Sequence, residues 1–89
     1  MRKYTMLVRK HLAGWVRRTR ALEELTQEKM SEQLRMSTRA YSSLEHEKSG
    51  LSATTLMFFL SILPQKDILQ LIEEFQKEFH QVEENEDAP

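Results

Sequence analysis

The 89-residue chain contains no cysteine. That removes disulfides, thiolate zinc sites and a cysteine nucleophile, and it is compatible with a reducing cytoplasm, the expected location. Two glycines and two prolines leave little room for long loops or for a glycine-rich phosphate loop. The longest hydrophobic stretch, Leu56 to Leu63, falls far short of the roughly 18 apolar residues that a membrane-spanning helix needs. The basic N-terminus is interrupted by Arg9, Lys10 and His11, so it does not read as a signal peptide. The three histidines, His11, His46 and His80, lie far apart in sequence. His80 and Glu84 share a helix face at i and i+4, but two groups do not make a metal site. Neither an enzyme nor a cofactor is expected, and no metal.

What is present suits one small domain. The apolar fraction is 39% and the charged fraction 30%, a balance that buries a core and keeps a solvated surface. The net charge is only −1, yet the signs are segregated. Met1 to Leu22 carries Arg2, Lys3, Arg9, Lys10, Arg17, Arg18 and Arg20 and no acid. Gln70 to Pro89 carries seven acids against Lys77 alone. Such a molecule is expected to be bipolar, with one end suited to phosphates and the other avoiding them.

The periodicity predicts five helices and no strand. The first runs from Tyr4 to Glu24, with Leu7, Leu12, Val16 and Leu22 near 3.6 spacing. Gly14 weakens it by about 1 kcal/mol relative to alanine and marks a break or a close approach. Thr26 caps a second helix that buries Met30 and Leu34. Ser37 caps a third, to about Glu47, with Tyr41 and Leu44 inward. Gly50 supplies the following turn. Ser52 caps a fourth, which is apolar on nearly every side and stops before Pro64. A fifth starts at Asp67 and runs to about Glu84, leaving residues 85–89 as an acidic tail on a domain of residues 1–84.

In the fifth helix Ile68, Ile72, Phe75, Phe79 and Val82 recur at 4, 3, 4, 3 spacing, a heptad-like seam. Its far end lies beyond the reach of the short fourth helix. The seam is therefore expected to be a homodimer interface.

The stretch "LTQEKMSEQLRMSTRAYSSLE", Leu25 to Glu45, holds two short helical segments that meet at Arg35–Ser37. Met30, Leu34, Met36, Tyr41 and Leu44 are apolar, and Ser31 is small enough for two helices to cross closely. Together with "RALEELTQ" before it and "SGLSATTLMFFLSIL" after it, the pattern resembles the Cro and lambda-repressor-like (XRE) helix-turn-helix family over Arg20 to Leu63. The motif itself covers about residues 27–46. The resemblance implies an all-α, five-helix lambda-repressor-like DNA-binding domain, here with a long C-terminal helix. It implies sequence-specific binding of double-stranded DNA by a transcriptional regulator, a dimer on paired half-sites. Arg35 stands where the family usually has glycine, so a left-handed residue there bears a cost of roughly 1 kcal/mol.

Residue roles follow from the same resemblance. The second motif helix enters the major groove by its N-terminus, so Ser37, Thr38 and Arg39, with Ser42 and Ser43 a turn later, read bases. Arg39 is the strongest candidate, because a guanidinium grips guanine O6 and N7 together. Gln27, Arg35, Lys48 and Ser49 are placed at phosphates. Arg20 and Glu45 match a structural salt bridge of the family. The competing expectation is a protein-interaction module, such as an antitoxin whose helices mask a protein partner.

Overall fold

The computed structural model describes residues 2–87, and among them every regular element is an α-helix. In order these are α1 (Arg2–Leu22), α2 (Gln27–Gln33), α3 (Thr38–Glu45), α4 (Ala53–Ile62) and α5 (Gln65–Asp87). The molecule is elongated, 47 × 27 × 21 Å. No described helix is long and apolar enough to cross a membrane.

Three helices begin where a side chain can satisfy an orphan backbone N–H. Thr26 Oγ1 accepts from Lys29 N, Ser37 Oγ from Ala40 N, and Ser52 Oγ from Thr55 N, each at 3.1 Å. Pro64 cannot continue α4 and opens α5 instead, its carbonyl accepting from Ile68 N at 3.1 Å. α5 thus starts at Gln65, two residues before the expected Asp67, and its last turns include Asn85–Asp87 rather than a loose tail. Ala88 and Pro89 lie outside the described residues.

The helix ends hold a second regularity. α1, α2 and α3 each end with one left-handed residue followed by a backbone bond that spans the last turn. Glu24 (φ 55°), Arg35 (φ 56°) and Glu47 (φ 63°) take this role, and neither glycine does. Leu25 N donates to Arg20 O, Met36 N to Ser31 O and Lys48 N to Ser43 O, at 3.0, 3.0 and 2.9 Å. The expectation that Gly50 makes the turn after α3 is therefore corrected: Glu47 makes it. Gly14 neither breaks α1 nor admits a neighbour closely, since an added Cβ would meet only Arg17 Nη2, at 4.0 Å.

A left-handed conformation costs a residue with a Cβ about 1–2 kcal/mol, while glycine adds about 0.4–1 kcal/mol of chain entropy to the unfolded state. Glu24→Gly should accordingly raise stability by about 0.5–1 kcal/mol, read as a higher urea midpoint at unchanged slope. A lower midpoint would mean that the Glu24 side chain contributes more than its backbone costs. Arg35→Gly should gain less, because it removes the stacking described below.

The core is built on Val16 of α1, Met30 and Leu34, Tyr41 and Leu44 of α3, and Phe59 of α4, all at most 1% exposed. Leu12, Trp15, Leu63 and Leu71 close it. Leu22 departs from expectation. As the last residue of α1 it is 74% exposed, because the chain turns away directly after it. Ser31 is buried between α2 and α3, with its Oγ 3.4 Å from Thr38 Oγ1, so a small residue does permit the close crossing.

α5 runs antiparallel to α1. Tyr4 Oη donates to Glu83 at 2.7 Å, Trp15 Nε1 to Glu74 at 3.0 Å, and Lys3 pairs with Glu86. His11 is buried between the helices, with Nε2 donating to the Leu71 carbonyl at 2.8 Å and Nδ1 3.2 Å from Glu78. This pairing corrects one expectation and bears on another. The basic and acidic ends of the sequence lie side by side and pair, so the molecule is not bipolar along its length. The seam residues Ile68, Phe75, Phe79 and Val82 are half-buried in the single chain, leaving only Ile72 of the five exposed. α1 is a neighbour along the far end of α5 within the chain, and the sequence pattern did not show it.

Candidate nucleic-acid interface

α3 presents a polar outer face and an apolar inner one. Tyr41 and Leu44 point into the core, and the only acid of the helix, Glu45, is also turned inward, 5% exposed. Outside stand Ser37, Thr38 and Arg39, all exposed, with Ser42 and Ser43 half-buried one turn on. Arg39 has no ion-pair or hydrogen-bond partner among the described residues. The five residues assigned to base readout thus lie along one helix that starts at a capped end. Lys48 is exposed and Ser49 half-buried in the loop that follows.

The inner side of α3 is fixed by a network centred on Glu45. Arg20 reaches it from α1 with Nε 2.5 Å from Oε2 and Nη2 3.1 Å from Oε1, a two-pronged ion pair. Gln27 of α2 donates from Nε2 to Oε1 at 3.0 Å, and Tyr41 donates its hydroxyl to Oε2. Arg17 donates to the Glu45 backbone carbonyl, and Arg20 Nη1 also donates to Leu25 O at 3.1 Å. Three helices therefore converge on one carboxylate. Burial pushes that carboxyl up, but the hydrogen bonds from Arg20, Tyr41 and Gln27 outweigh it and hold it below the usual carboxylate range. The Glu45 hydrogen bond raises Arg20, and burial raises Tyr41 well above an ordinary phenol.

Arg20 and Glu45 meet as the resemblance implied. Tyr41 and Gln27 are members that sequence reasoning missed, although Tyr41 and Glu45 stand at i and i+4 and so share a helix face. Gln27 is a correction: the amide assigned to a phosphate is turned inward and spent on Glu45. Arg35 is exposed but not idle. Its guanidinium lies 4.5 Å from the centre of the Phe58 ring, and Nη1 donates to Gln33 O at 2.6 Å. Stacking on an aromatic face ties the α2–α3 turn to α4. The turn cation is thereby committed to the fold, which the sequence pattern did not signal.

No group of three or more His, Asp or Glu among the described residues is placed to hold a metal ion. Comparison of the chain with protein-family models, with curated proteins and with solved structures gives no match.

Proposed function

We propose that the chain binds double-stranded DNA through the outer face of α3 and regulates transcription by occupying its site. The observation that carries this reading is Arg39: a cation without a partner among the described residues, near the capped start of a helix whose one acid is buried. An eight-residue helix is about 12 Å long at 1.5 Å per residue, and the major groove is about 12 Å wide. The serine- and threonine-rich face offers short donors and acceptors to base edges, and Lys48 beyond it suits a phosphate. The Glu45 network fixes the pose of α3 before DNA arrives, so less conformational freedom is lost on binding. The expected partner is a lambda-repressor-like operator of paired half-sites, read by a dimer.

The test begins with sites selected from random duplex DNA by the purified protein. On the best site, Arg39→Ala should cost about 1–3 kcal/mol and relax preference at one base pair per half-site. Lys48→Ala should weaken all sequences alike and lower the salt slope by about one counterion. Should Arg39→Ala change only the salt dependence, Arg39 is a phosphate clamp and base choice lies with Thr38, Ser42 or Ser43. A wild-type protein with no salt-sensitive affinity for any duplex would replace this reading with the protein-interaction one.

A further inference from the structure

α1 outruns the helix it packs on. The stripe of α1 that carries the buried Ala13 and Val16, and reaches Glu45 of α3 through Arg20, continues at helical spacing through Arg9, Met6 and Arg2. There α3 has ended and the loop after it lies alongside: a Cβ at Gly50 would stand 3.5 Å from Arg9 Cγ and 3.6 Å from Arg9 Nε. Arg9 Nε is buried in this position without a hydrogen-bond partner, and no other side-chain nitrogen or oxygen among the described residues shares that state. An unpaired buried donor is costly, and a guanidinium cannot relieve the cost by giving up its charge. The Arg9 side chain borders an open cleft of about 370 Å³, whose other walls are Arg2, Thr5, Met6 and Glu47. Arg2 and Arg9 are about 10 Å apart along the helix, so two long side chains can converge on one small group between them. Neither forms an ion pair among the described residues, whereas the one acid in the wall, Glu47, already lies 3.9 Å from Arg17. Arg2 also stands in the first turn of α1, where no acid offsets the positive end of the helix and a cation is ordinarily disfavoured.

We propose that this cleft binds a phosphate group, gripped by the Arg9 guanidinium and closed over by Arg2. The orphaned donor, the two unpaired cations and the positive helix end all ask for the same thing, an acceptor that carries negative charge. A phosphate answers with several oxygens, which the planar fork of an arginine engages two at a time. The group has two possible sources. One is a phosphodiester of duplex DNA, since Lys48, next in sequence to Glu47, is offered to the DNA backbone in the reading above. The other is free phosphate. The cleft stands without the DNA reading, and only the first source rests on it.

The experiment follows the Nε–H resonance of Arg9 in the full chain by NMR, assigned by its loss in Arg9→Lys, as inorganic phosphate is added at constant ionic strength. The resonance should move along a saturating curve, while that of Arg20, held by Glu45, stays in place. Arg2→Gln, at an exposed position, should weaken the binding about tenfold, the loss of one charge-assisted hydrogen bond. A second arm titrates a selected duplex at several salt concentrations with wild type and Arg9→Gln. A salt slope lowered by about one counterion in the variant identifies the DNA backbone as the source. A saturating phosphate shift with an unchanged slope identifies free phosphate. A linear drift shared by all arginines is an adventitious ion only, and with an unchanged slope it overturns the proposal, as does no shift at all. The phosphate arm contains no DNA, so this inference and the DNA reading fail separately.

Discussion

Glu45→Ala should destabilise the fold by roughly 3 kcal/mol, the cost of breaking a buried ion pair reduced somewhat because Arg20 still reaches solvent. The carboxylate is 5% exposed and holds groups from three helices. Without it the Tyr41 hydroxyl, on a fully buried side chain, loses its acceptor, and a stranded buried hydroxyl alone costs about 1–3 kcal/mol. Arg20→Ala should cost less, since Gln27 and Tyr41 still serve the carboxylate. The double variant should lose less than the sum of the two, with a coupling above about 1 kcal/mol in urea unfolding. Additive losses would mean that the pair contributes nothing as a pair. The acid limb gives a second readout. A carboxyl held below its usual range in the folded state stabilises that state fully above the unfolded value, near 4.3 for glutamate. That contribution is lost as pH falls through the unfolded value toward the folded one. Stability should therefore decline below about pH 5, and Glu45→Gln should flatten that decline while lowering stability at pH 7.

Phe75→Glu together with Phe79→Glu should cost about 4 kcal/mol, roughly 2 at each position from lost apolar burial and a partly desolvated new charge. Both rings are half-buried in the chain, 5.6 Å apart, with Phe75 5.5 Å from the His11 ring. The acids would face Glu78 and Glu83 on the same helix as well. A lower melting temperature, seen by circular dichroism, is the expected sign. Met57→Glu and Leu69→Glu, at solvent-facing positions, should each change monomer stability by no more than about 0.5 kcal/mol. An unchanged melting temperature in the Phe75/Phe79 variant would place those rings outside the packing between α1 and α5.

The contrast between these variants reflects what a one-dimensional pattern can convey. The starts of α2, α3 and α4 are legible because a cap is a local bond between Thr26, Ser37 or Ser52 and a backbone N–H three residues on. The inward positions Met30, Leu34, Tyr41 and Leu44 are legible because periodicity and burial share one cause. The seam of α5 is visible in the same way, but periodicity shows only that a face is covered, not by what. The cover is α1, joined through groups such as His11, Trp15 and Glu78 whose spacing carries no signal. Charge segregation misled for a related reason: signs far apart in sequence are brought together when the terminal helices pair. The ends of α1 and α3 were hidden because Glu24 and Glu47 take a conformation that glycine usually announces. At the candidate interface, Arg20 and Glu45 followed from family resemblance, whereas the inward turn of Gln27 and the stacking of Arg35 on Phe58 depend on tertiary neighbours.

The pairing of α1 with α5 also sets the order in which the molecule assembles. Lys3 and Glu86 are 83 residues apart in sequence, yet they close against each other. Bringing such distant segments together costs loop-closure entropy before any contact repays it. α2 and α3 are joined by a turn of a few residues and form their contact at little such cost. On that count the α2–α3 contact is expected to form before α1 pairs with α5. A chain emerging residue by residue keeps α1 waiting until almost all of α5 has been made.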